Sequence, residues 1–321
     1  MSGGGLRAVP RHPGPRVNVA QTRARIGGCE LAVPASSANM GPGFDTLAVA
    51  LQLYLRVRVC QVRDDAVNGL DFDLCGSVLT GDNYVERALR AIAADEGLEF
   101  PSLSLEVRSD IPMQGGLGSS AAATVAGLLL YERLAGPRPG RDLLTLATRL
   151  EGHADNVAAA LLGGLTTSCV CDNGRVIAHA APWPESIRFV IASPAASLAT
   201  PESRRVLPDA VSRADAVFNL QRALLFVRAI EHGEHGYLRE ALRDRWHQPF
   251  RAPLVPAFAE ALALEHPHLL GVCLSGSGPS ILALCAGATD EIAAALSAIY
   301  GRLGVSCTVQ TVAAHQPGVA T

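Results

Sequence analysis

The chain has 321 residues, 49% hydrophobic and 18% charged, with a net charge of −3 and a mean hydropathy of +0.23. The length suits one large domain or two of ordinary size. No window approaches roughly 18 uninterrupted apolar residues, so no membrane span is expected, and the weak negative charge excludes an electrostatic footprint for nucleic acid.

All 27 Lys-plus-Arg residues are arginine. Any mechanism that needs a lysine, on a phosphate, as a base or as a Schiff base, is therefore excluded. Residues 1–25 are rich in Gly, Pro and Arg without an apolar core of signal-peptide length. They are expected to form a disordered extension, and the protein is expected to be cytoplasmic. The 8 cysteines are scattered, mostly in apolar runs, and only Cys169 and Cys171 lie close. Reduced, buried thiols are the expectation.

In chain order, Leu31–Pro34 is a short apolar segment that runs into the polar, glycine-rich stretch Ser36–Gly43. Leu47–Val59 alternates as a strand, with Arg56 and Arg58 on one face and Leu55, Val57 and Val59 on the other. A helix capped by Asp82 or Asn83 follows over Asn83–Ala94. Leu103–Val107 reads as a strand, and Ser119–Leu134 as a helix ended by Gly136-Pro137. Arg141–Leu150 and Val157–Leu162 read as helices around the polar cluster Glu151–Asn156. Asn173-Gly174 between Thr166–Cys171 and Arg175–His179 predicts a hairpin. Trp183, between two prolines, marks the expected domain boundary. Beyond it, Ile187–Ala192, Gly271–Leu274, Ser280–Leu284 and Ser306–Val312 read as strands. Ala210–Glu231, Gly236–Trp246, Pro256–Leu264 and Thr289–Leu303 read as helices. Strands and helices mix without strict βαβ regularity, which places the chain in the α+β class.

The most informative stretch is Ile111–Ala123, IPMQGGLGSSAAA. Glycine allows backbone N–H groups to approach a ligand closely, and the following helix presents a positive N-terminus. Together they form a cradle for phosphate. The run is not a Walker A loop, because the lysine of that loop is missing. No His spacing supports zinc, and Asn83 and the histidines other than His153, His247 among them, are read as structural or surface residues.

Three segments, PASSANMGPGFD (Pro34–Asp45), PMQGGLGSSAAA (Pro112–Ala123) and LSGSGPS (Leu274–Ser280), resemble the superfamily of galactokinase, homoserine kinase, mevalonate kinase and phosphomevalonate kinase, the GHMP kinases. A fourth, EGHADNVAAALLGG (Glu151–Gly164), together with SSANMGPGFD, narrows the resemblance to the homoserine kinase family. It covers about residues 28–313. The resemblance implies a two-domain GHMP kinase fold: an N-terminal ATP-binding α+β domain over 26–183 and a C-terminal ferredoxin-like α/β sandwich domain over 184–315. It also implies Mg²⁺-assisted transfer of the ATP γ-phosphate to the hydroxyl of L-homoserine, giving O-phospho-L-homoserine for threonine biosynthesis, by a homodimer.

The same resemblance implies roles residue by residue. Pro112, Met113, Gln114, Gly115, Gly116, Leu117, Gly118, Ser119, Ser120, Ala121 and Ala122 would line ATP. Ser119 or Ser120 would place a hydroxyl on Mg²⁺, with Glu151 as the second ligand. Asn39, Asp45, His153 and Asp155 match positions that hold homoserine, the two carboxylates facing its ammonium and hydroxyl. No protein base is implied; the hydroxyl proton would pass to the phosphate, with Asn156 steadying the reacting groups. Thr200, Arg204 and Arg251 match the substrate pattern in TPESRRVLP and HQPFRAPLVP. The two guanidinium groups would grip the α-carboxylate, with Arg205 replacing Arg204 if the register differs by one. Gly276 would bring the C-terminal backbone against the substrate, its turn packed under the ATP loop. Ser37, Met40 and Gln114 depart from the family pattern and leave open a sister kinase acting on another small hydroxy acid or homoserine analogue. A non-catalytic ligand-binding protein on the same scaffold is the other alternative, and retention of the glycine loop, Ser119, Ser120 and Glu151 favours activity.

Overall fold

The computed structural model describes residues 19–76, 81–195 and 200–319, without the side chains of Thr200 and Pro201. It begins with α1 (Val19–Ile26), β1 (Glu30–Ala38), β2 (Leu47–Val67), β3 (Leu70–Asp73), α2 (Tyr84–Glu96) and β4 (Pro101–Ser109). Three helices follow, α3 (Ser119–Ala135), α4 (Leu143–Glu151) and α5 (Asp155–Leu162), and then the hairpin β5 (Leu165–Val170) and β6 (Val176–Ala181). These strands form one sheet in the order β3-β4-β2-β5-β6, with β1 also paired to β2.

The second half holds β7 (Arg188–Pro194), α6 (Thr200–Arg205), α7 (Arg213–His232), α8 (Leu238–Ala241), α9 (Gln248–Arg251), α10 (Phe258–Leu262), β8 (Leu269–Leu274), β9 (Ile281–Cys285), α11 (Thr289–Arg302) and β10 (Cys307–Val312). Its sheet is antiparallel throughout, in the order β10-β7-β9-β8. A strand, helices, a hairpin, a helix and a last strand in that order give the ferredoxin-like topology. The two-sheet α+β fold therefore agrees with the sequence reading.

Local chemistry explains most boundaries. Asn83 caps α2 by accepting from Glu86 N at 3.2 Å, and Gly97 ends it with φ of 66°. In β2, Leu55, Val57 and Val59 are buried while Arg58 is exposed, as the alternation predicts. The β1–β2 register shifts between Pro34 and Ala35, where proline removes a ladder donor. Among the described residues no helix is long and apolar enough to cross a membrane.

Three expectations need correction. The extension expected to be disordered through residue 25 contains α1, which buries Thr22 and Ile26 and donates from Arg25 Nη1 to Leu134 O at 2.9 Å; residues 1–18 lie outside the description. Gly236–Trp246 is not one helix. The Asp244 carboxylate accepts from Trp246 N, His247 N and Gln248 N at 2.8, 2.9 and 2.6 Å, which starts α9 afresh and ends any continuation of α8. All 8 cysteines are free, but only Cys273 and Cys285 are buried; Cys60 and Cys169 are exposed because their apolar strand neighbours face the opposite side, and Cys75 is exposed in the turn after β3. Trp183 lies between β6 of the first sheet and β7 of the second. It is 2% exposed, donates from Nε1 to Ile187 O at 3.1 Å and lies 4.9 Å from Phe189. One apolar core runs from β1 and α3 through Trp183 to Phe189 and Phe226, joining the two sheets.

Candidate active site

The three glycine-bearing segments meet where the two sheets join. The loop between β4 and α3 turns through left-handed backbone at Gln114, Gly116 and Gly118, with φ of 53°, 74° and 68°. A Cβ on Gly116 would overlap the Ser275 carbonyl oxygen and approach Gly278 O to 2.7 Å; one on Gly118 would overlap Ser36 Oγ. Only glycine fits such approaches at positive φ. The 275–280 turn holds the loop from beneath: Ser275 Oγ donates to Gly116 O at 2.8 Å and Ser280 N to Gly115 O at 3.2 Å. Gly276 N donates to Ala38 O at 3.1 Å, while Gly276 O accepts from Asn39 Nδ2 at 2.8 Å.

Gly118 precedes α3 with no side-chain cap, so the first amides of the helix remain available for an anion. Leu117, Ala121 and Ala122 point into the core, so this stretch offers a ligand its backbone. Met113 and Gln114 are exposed at the loop tip, and Pro112 is half-buried.

In the first turn of α3, Ser120 Oγ donates to Glu151 Oε2 at 2.8 Å, and about one turn further on Thr124 Oγ1 donates to Glu151 Oε1 at 2.8 Å. The carboxylate is 4% exposed, and Arg87 Nη2 lies 3.9 Å from Oε1. Arg87 is fixed there by donating to Leu150 O at 3.0 Å and by lying 4.3 Å from the Tyr84 ring centre. Ser120 is thus the serine brought to Glu151. Ser119 opens the same helix without this contact.

The next segment, after α4, carries His153, Asp155 and Asn156. Asp155 is 2% exposed; its Oδ1 lies 2.8 Å from His153 Nδ1 and accepts from Asn156 N at 2.7 Å. Burial opposes charge on His153, yet the hydrogen bond and charge of Asp155, with the charge of Glu151, outweigh it and raise the imidazole above its usual value of 6.5. Asn156 Oδ1 accepts from Ser36 Oγ at 2.8 Å, which orients its amide.

On the opposite wall, Asn39 and Asp45 adopt positive φ of 71° and 52°, strain of the kind stored at binding sites. Asp45 N donates to Asn39 Oδ1 at 3.0 Å. The Asp45 carboxylate accepts both arms of Arg204, at 3.0 and 2.7 Å. Arg205 is exposed, and Arg204 is the one that reaches Asp45. Thr200 begins α6, and its side chain lies outside the description.

Arg251 is 2% exposed and, among the described residues, donates only to neutral acceptors: Ser203 O at 3.2 Å, Gly276 O at 3.3 Å and His247 Nδ1 at 3.1 Å. Burial, with the charge of Arg204, pulls its pKa down to about 10. Because a guanidinium only donates, His247 Nδ1 is an acceptor, and Nε2 carries the proton to Gly41 O at 2.7 Å. Burial likewise keeps His247 below its usual value, so it is the neutral form that meets Arg251.

Sequence reasoning gave no role to Ser36, Arg87, Thr124 or His247. Two of these carried a signal. Thr124 is four residues after Ser120 on one helix, and His247 is four before Arg251, spacings that place side chains on one face. Ser36 and Arg87 reach their partners only across the tertiary fold.

Comparison with known proteins shows the family. The family model described as GHMP kinases N terminal domain matches residues 83–164, and GHMP kinases C terminal matches 226–302. The fold and the glycine-loop site thus define a GHMP kinase. A homoserine kinase of Moorella thermoacetica is 40% identical over 286 residues, covering 88% of this chain and 95% of its own. One from Solibacter usitatus is 42% identical over 254 residues, covering 78% and 83%. The crystal structure of homoserine kinase from Cytophaga hutchinsonii superposes with a TM-score of 0.77 at 26% identity, covering 90% of this chain and 95% of that one. The chain belongs to the homoserine kinases of the GHMP family.

Proposed function

We propose that this chain transfers the γ-phosphate of ATP to the hydroxyl of L-homoserine at the junction of its two sheets. The observation that carries the reading is the pairing of two complementary half-sites. One is a glycine loop with uncapped helix amides and a Ser120–Glu151 oxygen pair. The other is a wall of Asp45, Asp155, Arg204 and the buried Arg251, which has the charges an α-amino acid requires.

The loop backbone from Gly115 to Ser120 binds the ATP phosphates. Ser120 Oγ and the Glu151 carboxylate are hard oxygen donors already in contact, a set suited to Mg²⁺. When bound, that ion neutralises charge on the phosphates. Asp45 and Asp155 receive the substrate ammonium and hydroxyl, Asn39 and His153 add hydrogen bonds, and Arg204 and Arg251 take the α-carboxylate. The Gly276 backbone, tied to Asn39 and Arg251, closes the substrate side. Asn156, oriented by Ser36, steadies the phosphoryl group as the hydroxyl proton passes to the phosphate. Phosphoryl transfer needs chiefly alignment and charge neutralisation, which these groups supply without a protein base.

We assign residues 26–183 to the nucleotide half and 184–315 to the substrate half, and read the enzyme as a cytoplasmic homodimer. The test is an ADP-release assay with Mg·ATP on L-homoserine, mevalonate, galactose, L-serine and L-threonine. Turnover confined to L-homoserine supports the reading. Turnover of another compound alone overturns the substrate assignment, and absence of ATP binding overturns the phosphate-loop assignment.

A further inference from the structure

We propose that two copies of this chain pair through the outer face of α7, antiparallel across a two-fold axis that passes between Leu220 and Leu224. The inference rests on the homodimer reading above and names the surface that makes the dimer. Arg213, Val217, Leu220, Leu224, Arg228 and Glu231 form that face. At about 100° per residue they fall within a sector of about 80° and span about 27 Å of helix. Val217, Leu220 and Leu224 are 46%, 61% and 60% exposed, and no other described helix exposes more than one large apolar side chain. Single exposed apolar residues are ordinary on a protein surface, but three at helical spacing form a stripe of the kind that marks an interface.

The inner side of the helix is taken by its own chain. Asn219 Nδ2 donates to Pro42 O at 3.2 Å and to Asp244 Oδ1 at 2.6 Å. Asp215 pairs with Arg245 at 3.2 Å, and Arg222 binds Glu240 and stacks on Phe218. The charges left on the outer face are Arg213, Arg228 and Glu231. Arg228 holds Glu231 at 3.2 Å, whereas Arg213 is exposed and pairs with none of the described Asp or Glu side chains. The same helix reversed complements this pattern. Centred between Leu220 and Leu224, an antiparallel pair sets Leu220 against Leu224 of the second copy and Val217 against the stem of its Arg228. Arg213 and Glu231 lie equally far from that centre, so each Arg213 meets a Glu231. Every contact occurs twice, as an isologous interface requires. A parallel pair sets Arg213 on Arg213 and Glu231 on Glu231, so charge selects the antiparallel one. The leucines supply the desolvated centre and the ion pairs the polar rim.

The test is sedimentation velocity on the full chain across micromolar concentrations, with far-UV circular dichroism as the folding control. The wild type is expected at twice the 33.5 kDa chain mass. Leu220→Glu puts a charge into the centre of the interface twice over and should raise the dimer Kd at least about 100-fold. Arg213→Glu and Glu231→Arg, taken singly, set like charges together and should each raise it about tenfold. Combined in one chain they restore opposite charges and should return the Kd to within about threefold of the wild type. A dimer that survives Leu220→Glu, or a double charge variant no tighter than the single ones, overturns this face and leaves the homodimer reading standing. A monomeric wild type overturns both. Should Leu220→Glu fail to fold, the charge-reversal series decides alone. ADP release on L-homoserine is a separate readout: an inactive wild type ends the kinase reading without touching the interface.

Discussion

Replacing Glu151 by glutamine isolates charge from shape at the centre of the site. The side chain is 4% exposed, and its two oxygens accept from Ser120 and Thr124, each at 2.8 Å. Glutamine has the same outline. One hydroxyl continues to donate to its carbonyl oxygen, and the other rotates to accept from its amide, so no buried polar group is orphaned. The folded state loses mainly the attraction of Arg87, whose nitrogen is 3.9 Å away on a side chain 38% exposed. Such a contact is worth about 1 kcal/mol or less, so the melting temperature should move by no more than about 3 °C. Catalysis should suffer far more, because the substitution removes the only carboxylate in contact with Ser120 among the described residues. A loss of about 100- to 1000-fold in kcat corresponds to roughly 2.7–4 kcal/mol of transition-state stabilisation. The Mg²⁺ concentration for half-maximal rate should rise about tenfold, while KM for L-homoserine stays near its wild-type value. The assay is ADP release across a Mg²⁺ titration, with thermal melting as the folding control. Wild-type kcat with an unchanged Mg²⁺ requirement would refute the assignment of Glu151.

Three further outcomes are expected. Arg251→Ala removes the buried cation and should raise KM for L-homoserine about a hundredfold, the loss of charge-assisted hydrogen bonds worth roughly 3 kcal/mol, with KM for ATP nearly unchanged; equal damage to both constants would take Arg251 out of the substrate pocket. Gly116→Ala places a Cβ against Ser275 O at φ of 74° and should cost about 1–2 kcal/mol from the left-handed backbone alone, more as the loop lifts off the 275–280 turn, lowering the melting temperature and raising KM for ATP. Glu96 is held down to about 2, from a usual 4.5, chiefly by hydrogen bonds from Arg141, with Tyr131 and Arg138 adding to it. Its folded pKa lies below the unfolded one, so its stabilisation is present above pH 4.5 and is lost as pH falls toward about 2. Glu96→Gln should melt lower at neutral pH and lose less between those limits than the wild type; parallel losses would show that the cluster does not govern acid stability.

The sequence determined a good deal by itself, wherever a requirement is local. Glycines at 115, 116 and 118 followed by Ser-Ser-Ala mark a phosphate loop, because close backbone approach and a helix N-terminus are written in adjacent residues. Asn173-Gly174 likewise writes its own hairpin, and Asn83 its own helix start. The alternation in β2 separates its buried from its exposed face without reference to anything else.

What the tertiary structure alone decided involves partners far apart in the chain. Nothing near Asp45 announces Arg204, 159 residues on, and nothing near Ser36 announces Asn156, 120 residues on. The end of α8 depends on Asp244 drawing in the amides that begin α9 and the side chain of Asn219, a competition that periodicity does not register. Trp183 looks like a linker residue between prolines, yet it is buried because Phe189 and Phe226 close over it. The physical reason is the same in each case. Propensity, capping and backbone strain act over a few residues. Burial and charge pairing are settled only when the two sheets meet, and there the fold leaves Arg251 with no described carboxylate as its ion-pair partner and gives Arg204 to Asp45.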